Sequence, residues 1–188
     1  GENRGELLEL CAEAGNDLIV GNGFLFDAAM NEVAPNYPDL NFAITDGVAE
    51  PSNVRGMLFK HAEGSYLAGI AAALKTKTNN VGFIGGVDFP LIHEFEQGFL
   101  AGVAEINPDI VVQIGYASVP PDFSGFNDPV KGKEIALAQY EAGADIIYHA
   151  AGGTGTGMFE AAKEVSEATG SKVSVSYTHL TLPTSRSV

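Results

Sequence analysis

The residues whose types could bind a ligand or take part in chemistry follow short apolar runs of this sequence. These stretches are small, polar or aromatic in character, and they comprise residues 21–24 (GNGF), 45–47 (TDG), 85–88 (GGVD), 123–128 (FSGFND) and 150–157 (AAGGTGTG). Ligands of open α/β sheets bind beyond the carboxyl ends of the strands, so these stretches are the candidate site. An aromatic ring can stack on a flat ring, and a carboxylate can accept hydrogen bonds from two adjacent hydroxyls. The set therefore favours binding of a flat, neutral, hydroxylated molecule.

Individual candidates also have plain structural explanations. The candidates are the aromatics Phe24, Phe123 and Phe126, the acids Asp46 and Asp128, and the amides Asn22 and Asn127. Phe24 and Phe26 fit core positions better than ligand-facing ones, and Asp46 and Asp128 fit turn caps as well as ligand acceptors. The glycines of residues 152–157 can present backbone N–H groups to a ligand, or can let a helix pack closely on a strand. His149, just before them, is interpreted as a core or rim histidine.

Motifs of the common enzyme classes do not occur in the sequence. A dinucleotide loop, G-x-G-x-x-G, fails because Met158 or Phe26 stands at its third glycine, and no Gly-Lys-Ser/Thr phosphate loop occurs. Neither a G-x-S-x-G elbow nor an H-E-x-x-H metal motif is present. His93, Glu94 and Glu96 on one predicted helix indicate a solvated face, because the ligands of a metal site converge from several elements. We therefore expect binding without chemistry, with no cofactor and no metal.

Charge and composition exclude several classes of partner. Ten Lys and Arg against 24 Asp and Glu give a net charge of −14, which would repel a nucleic-acid backbone or an anionic membrane surface. The single cysteine, Cys11, excludes an intramolecular disulfide and a cysteine metal cluster. No apolar run approaches the roughly 20 residues of a membrane-spanning helix. We expect no nucleic-acid partner.

Short apolar runs alternate with stretches of helical spacing along the chain. The predicted strands are centred on residues 18–20, 42–44, 81–84, 110–114, 145–148 and 173–175. Helical spacing lies between most of them, as in Ile92, Phe95, Phe99, Val103 and Ile106. Because the apolar runs are continuous, these strands are predicted to be buried on both faces. The alternation predicts an α/β fold of parallel sheets flanked by helices on both sides.

Two breaks in this alternation predict the domain organisation. Residues 46–55 form a polar loop, and the helix predicted over 65–74 is rich in small residues, which suits a segment passing between two lobes. An ordinary loop and an alanine-rich helix fit equally well. From about Ser176 the chain carries no acidic residue and resembles adapter-derived or frame-shifted ends. We expect residues 1–60 to form part of a first lobe, 61–175 a second lobe and 176–188 a non-native tail, with a genuine edge strand and loop as the alternative.

Several strings of the sequence closely resemble the basic membrane protein family. The members of this family are substrate-binding lipoproteins of ABC transporters, and the resemblance is to the purine nucleoside receptor type. The strings are GFLFDAA (23–29), VAPNYPD (33–39), FAITDG (42–47), EGSYLAG (63–69), VGFIGG (81–86), FEQGF (95–99), DPVKGKE (128–134) and GADIIYHAAGGTG (143–155). The resemblance runs from about Asp17 to Val175. The glycine-rich block and EGSYLAG make it specific.

The resemblance implies a two-lobed periplasmic-binding-protein fold of type I, present here in part, that closes on a nucleoside in the cleft between its lobes. By motif, Asp46 would bind polar atoms of the ribose or base, Phe126 would stack on the base, and Gly153 would approach the ligand through its backbone. Glu63, Asn22 and Phe24 would border the cleft.

The resemblance also implies a setting. A member of this family would be an extracytoplasmic solute-binding protein that delivers a purine nucleoside to an ABC transporter permease. It would meet the membrane only through a lipid anchor, or would be periplasmic. The family's lipidated leader and opening strand do not appear in these residues, the segment expected after Val175 is replaced, and Cys11 lies within a helical pattern that does not match the lipidation cysteine.

Two alternatives to this interpretation remain. One is a nucleoside-processing α/β enzyme, a hydrolase or a phosphorylase, that uses the same cleft. The other is a receptor for a different hydroxylated solute, such as a sugar or a signalling molecule. The lack of a recognisable nucleophile, metal set or phosphate loop in the sequence favours binding over catalysis.

Overall fold

A computed structural model describes residues 3–177 of the chain. It confirms the α/β class, with parallel strands joined by helices. The chain divides after Lys60 into two compact units, Gly1–Lys60 and His61–Val188. Their assignment to the first and second lobes of a binding protein stays a prediction. None of the helices within residues 3–177 is long and apolar enough to cross a membrane.

The first unit is built on a three-stranded parallel sheet with the order β1-β2-β3. Its elements are α1 (Arg4–Glu13), β1 (Leu18–Asn22), α2 (Asp27–Val33), β2 (Asn41–Thr45) and β3 (Val54–Met57). The core joins residues of both helices to Ile19, Phe42 and Ile44 of the sheet. β1 alternates in burial, and its Leu18 and Val20 are exposed. The prediction that this strand is buried on both faces is therefore wrong, since β1 lies at an edge of the described sheet.

The second unit is built on a four-stranded parallel sheet with the order β5-β4-β6-β7. Its elements are α3 (His61–Lys75), β4 (Asn80–Val87), α4 (Pro90–Ile106), β5 (Val111–Ser118), α5 (Pro129–Glu141), β6 (Ile146–Ala150), α6 (Gly155–Thr169) and β7 (Ser174–Tyr177). The central strands β4 and β6 are almost entirely buried, as predicted. The outer strands β5 and β7 are only partly buried, contrary to the prediction, because each has a sheet neighbour on one side only among the described residues.

Two cores cover the two faces of the second sheet. On one face, α3 and α4 pack against Val81, Phe83 and Tyr148. On the other face, α5 and α6 pack against Ile84 and Ile147. Adjacent residues of one strand enter opposite cores because side chains alternate across a strand. The predicted flanking of a parallel sheet by helices on both sides is confirmed in this unit.

The small residues of α3 serve its contact with α4. A Cβ atom added at Gly69 would run into the backbone oxygen of Phe99, and one added at Gly98 into that of Ala62. Gly102 meets the backbone oxygen of Tyr66 in the same way. The two helices thus approach backbone to backbone within the second unit. This contact accounts for the small residues that the sequence suggested for a crossover between lobes.

Two boundaries differ from the sequence predictions. The loop predicted over 46–55 ends earlier, because Val54 and Arg55 begin β3, which pairs in parallel with β2 from Phe42 onward. β7 includes Ser176 and Tyr177, which pair with Tyr148 and His149 of β6, so the strand continues two residues into the predicted tail. The rest of that tail lies outside the described residues.

Candidate ligand-binding site

The carboxyl end of β1 is tied to that of β2 by side chains. Asn22 and Thr45 are register partners at the ends of the two strands. The Thr45 hydroxyl donates to Asn22 Oδ1 at 2.7 Å and accepts from the Gly23 N–H at 2.8 Å. These bonds hold the exposed Asn22 side chain at the sheet edge, which is where the sequence predicted a ligand contact.

Asp46 follows β2 in an unusual backbone conformation. Its φ is +57°, in the left-handed region, and its N–H donates to the Met57 carbonyl at 2.9 Å. A residue other than glycine in this region costs about 1 kcal/mol or more, and such residues concentrate at functional sites. The strained turn at the end of the sheet supports Asp46 as a candidate.

Asp27 supports this turn and was missed by the sequence analysis. Its Oδ1 lies so close to Gly47 that a Cβ atom there would collide with it. Burial raises the pKa of the Asp27 carboxyl, and a hydrogen bond from the Val48 backbone opposes that shift. Asp27 therefore fixes the residues that directly follow Asp46. No local sequence motif predicts this role, because the contact joins residues about 20 positions apart in the chain.

The two phenylalanines after β1 have different environments. Phe26 packs against the core of the first unit, and Met30 and Phe26 leave no room for a side chain at Gly21. Phe24 opens the short 3-10 turn Phe24–Phe26 and is half-buried. The core alternative therefore holds for Phe26, and Phe24 stays a candidate.

Phe126 lies in a short turn, Ser124–Phe126, beyond the carboxyl end of β5. Its ring rests on Gly86 of β4, where an added Cβ atom would come within 2.5 Å of the ring. The side chain is half-buried and packs against the core between the sheet and α4. Phe126 is therefore both a candidate stacking platform and a packing residue.

The glycine-rich turn after β6 lies against the Phe126 loop. Gly152 has a φ of +55°, and an added Cβ atom there would lie 3.1 Å from the Phe126 carbonyl oxygen. An added Cβ atom at Gly153 would lie 3.1 Å from Asn127 Oδ1 and 3.3 Å from the same carbonyl. The structure thus brings Phe126, Asn127 and Gly153 together at the carboxyl edge of the second sheet.

Two further acidic candidates have other environments. Asp128 caps α5, since its Oδ1 accepts from the Lys131 N–H at 2.9 Å. It is therefore the cap that the sequence analysis gave as the alternative to a ligand acceptor. Glu63 is exposed in the first turn of α3. It lines a groove of about 570 Å³ whose walls come from α3 and α4.

Within the described part of the chain, His61, His93 and His149 do not gather into a metal-binding set. His149 is only 4% exposed, and burial lowers its pKa to about 4, so that it is neutral at physiological pH. His93 Nε2 pairs with Asp88 Oδ1 at 2.6 Å, and Glu96 accepts a hydrogen bond from the Tyr116 hydroxyl. Within residues 3–177, no group of three or more His, Cys, Asp or Glu residues could hold a metal ion.

Alanine at Gly153 should test whether this backbone faces a ligand. The nearest atoms to the added methyl lie 3.1 and 3.3 Å away, so we expect Gly153→Ala to cost less than about 1 kcal/mol of stability. Ligand affinity should nevertheless fall, because the methyl occupies the approach to the backbone. The measurements are thermal unfolding without ligand and the dissociation constant.

Gly157→Ala is the matched control, because its added methyl would collide with the Pro129 backbone. We expect it to cost about 1 to 3 kcal/mol of stability through overpacking. Equal stability losses in both variants, with no loss of affinity in Gly153→Ala, would remove Gly153 from the site.

Comparison with known proteins shows which family the chain belongs to. Residues 1–172 match the model of the Bmp family, described as ABC transporter substrate-binding protein PnrA-like. The chain is 44% identical over 152 residues to the CD4+ T-cell-stimulating antigen of Listeria monocytogenes, covering 80% of this chain and 41% of the relative. It is 43% identical over 155 residues to the ABC transporter nucleoside-binding protein BmpA of Lactococcus lactis, covering 82% of this chain and 42% of the relative.

A solved structure agrees with these matches. The chain superposes on an ABC transporter solute-binding protein from Aeropyrum pernix K1 with a TM-score of 0.77 and 30% identity, covering 93% of this chain and 49% of that one. The chain therefore spans about half the length of the relatives it matches, and nearly all of it takes part in the match. It belongs to the family of PnrA-like ABC transporter substrate-binding proteins, the basic membrane proteins.

Proposed function

We propose that this protein binds a purine nucleoside and releases it unchanged, as the extracytoplasmic receptor of an ABC transporter. One observation carries the proposal: in a chain of this family, an aromatic residue, Phe126, lies with its backbone beside the bare segment Gly152–Gly153, at the carboxyl edge of a parallel sheet. The name of the Lactococcus relative, a nucleoside-binding protein, supports the same ligand class.

The chemistry of the second unit suits a nucleoside base. The face of Phe126 offers a stacking surface, and base-aromatic stacking contributes about 1 to 3 kcal/mol per base. Gly153 carries no side chain, so a ligand can approach its backbone N–H, whereas its carbonyl already accepts a hydrogen bond from the Thr156 hydroxyl. Asn127 adds an amide that can donate to or accept from the polar edge of a base.

The chemistry of the first unit suits a ribose. A carboxylate such as Asp46 accepts hydrogen bonds from two vicinal hydroxyls, and these bonds are stronger than those between neutral groups. Asn22, held by Thr45, adds a second polar contact. We propose that Phe24 and Glu63 border the ligand without contacting its polar atoms.

Charge adds selectivity against phosphorylated ligands. The chain carries a net charge of −14, and Asp46 adds a local carboxylate to that field. A nucleotide phosphate would be repelled on approach, whereas a neutral nucleoside would not. We therefore propose that the protein delivers nucleosides rather than nucleotides to its permease.

Retention of inosine by the full-length protein during ultrafiltration, followed by chromatography of the recovered ligand, tests both binding and the absence of chemistry. We expect inosine to be retained at one equivalent and recovered intact. Release of hypoxanthine with turnover would instead identify a hydrolase or, if it required phosphate, a phosphorylase. Retention of galactose but not inosine would identify a receptor for another hydroxylated solute.

A further inference from the structure

Thr154 is a fully buried polar residue that the sequence analysis did not single out. Its hydroxyl donates to the Gly125 carbonyl at 2.7 Å. The same oxygen accepts from the Asp128 N–H, also at 2.7 Å. One side-chain atom therefore bonds the two residues that flank Phe126 and Asn127.

The surroundings of Thr154 fix its position as well as its hydrogen bonds. A Cβ atom added at Gly132 of α5 would lie 2.8 Å from the Thr154 methyl and would collide with the Thr154 carbonyl oxygen. Thr154 also ends the turn Gly152–Thr154, which follows β6 and precedes α6. Its methyl thus packs on α5 while its hydroxyl faces the Phe126 loop.

A second hydroxyl holds the other side of the same loop. Ser118 Oγ, at the end of β5, accepts from the Gly125 N–H at 3.2 Å and donates to the Asp122 carbonyl at 2.7 Å. Gly125 is thereby bonded through its N–H to the end of β5 and through its carbonyl to the turn after β6. The loop that carries Phe126 is therefore hydrogen-bonded both to the end of β5 and to the turn after β6.

We propose that Thr154 is a positioning residue for ligand binding, whose hydroxyl fixes the Phe126 ring relative to the Gly152–Gly153 backbone. This inference rests on the proposed function, because it assumes that these two groups contact the ligand. Without the hydroxyl, the Gly125 carbonyl and the Asp128 N–H both lose a buried partner, and the loop is free to move away from the glycine turn. A binding site loses affinity when its contacting groups are no longer held within about 0.5 Å.

Two substitutions test the contributions of the Thr154 hydroxyl and methyl groups separately. Thr154→Val keeps the shape of the side chain and removes both hydrogen bonds, whereas Thr154→Ser keeps the hydroxyl and removes the methyl. The matched control is Thr169→Val at the far end of α6. The Thr169 hydroxyl also donates to a carbonyl, that of Val165, and accepts from an N–H, that of Ser171, but it is exposed.

The experiment measures two quantities on the full-length protein and these variants. One is the dissociation constant for inosine, and the other is the amide hydrogen exchange of Asp128 without ligand. We expect Thr154→Val to weaken inosine binding at least about tenfold, the equivalent of one lost hydrogen bond, and to accelerate exchange at Asp128. Thr154→Ser and Thr169→Val should keep both values close to those of the unmodified protein.

Two results would overturn the positioning role. One is a lower unfolding temperature in Thr154→Val with an unchanged dissociation constant, which would make Thr154 merely structural. The other is unchanged exchange at Asp128. If the unmodified protein binds no inosine, the proposed function fails, while the exchange measurement still decides whether Thr154 holds the loop.

Discussion

Lowering the pH from 7 to about 4 should destabilise the second unit by about 3 kcal/mol through His149 alone. Burial lowers the pKa of this imidazole to about 4, whereas in the unfolded chain it is about 6.5. The unfolded state therefore binds a proton first as the pH falls. The stability contributed by neutral His149 is fully present above about pH 6.5 and is lost progressively toward pH 4.

The environment of His149 explains why it resists protonation. Its ring stacks on Tyr177 at 5.5 Å between centroids and meets the edge of Phe159 at 5.8 Å. Neither ring nitrogen has a hydrogen-bond partner within residues 3–177. Gly155, at the start of α6, lies directly against the ring, and the positive end of that helix adds to the cost of an imidazolium.

Urea unfolding of the chain between pH 7 and pH 4 measures this effect. His149→Phe should unfold with a much weaker pH dependence than the unmodified chain, and His149→Gln provides a second variant that keeps a polar side chain. The control, His93→Gln, removes a partly exposed histidine and leaves the burial of His149 unchanged. Identical pH dependences for the unmodified chain and both His149 variants would refute the assignment.

Phe126→Ala should weaken purine nucleoside binding by about 1 to 3 kcal/mol, which is roughly fivefold to more than a hundredfold. The substitution removes the proposed stacking surface. It should also lower stability, because the ring packs on Gly86 and on the core beneath it. The loss should stay below the roughly 3 to 5 kcal/mol typical of a fully buried phenylalanine, since Phe126 is only half-buried.

Two controls separate stacking from packing at this position. Phe126→Tyr keeps the aromatic face and should bind nearly normally, whereas Phe126→Leu keeps much of the apolar contact with Gly86 but loses the ring. We expect Phe126→Leu to retain more stability than Phe126→Ala and yet to bind weakly. Thermal unfolding and the dissociation constant are measured together. A large stability loss with unchanged affinity in Phe126→Ala would remove this residue from the site.

The sequence predicted the fold where burial is continuous and failed where it is not. The central strand β4 reads as an unbroken apolar run because both of its faces are covered. β3 was missed because Val54, Arg55, Gly56 and Met57 form no apolar run, and its place beside β2 depends on pairing rather than on composition. β1 was judged too buried because local composition does not report which strand lies at an edge.

The placement of the candidate residues was predictable where the strand-end rule applies. Asn22, Asp46 and Gly153 lie where that rule predicted ligand groups, at or just beyond the ends of β1, β2 and β6. Asp27 and Thr154 could not be found in this way, since each acts on the backbone of a segment about 20 or more residues away. Asp128 has the spacing of a helix cap, and the structure shows it capping α5.

Calorimetric titration of purine nucleosides into the full-length protein tests the central claim most directly. Inosine, guanosine and adenosine are titrated in parallel with cytidine, ribose and galactose under identical conditions. The account predicts saturable heat at one equivalent for at least one purine nucleoside, and little or none for ribose and galactose. Saturation by galactose or another sugar, with no heat from any purine nucleoside, would contradict it.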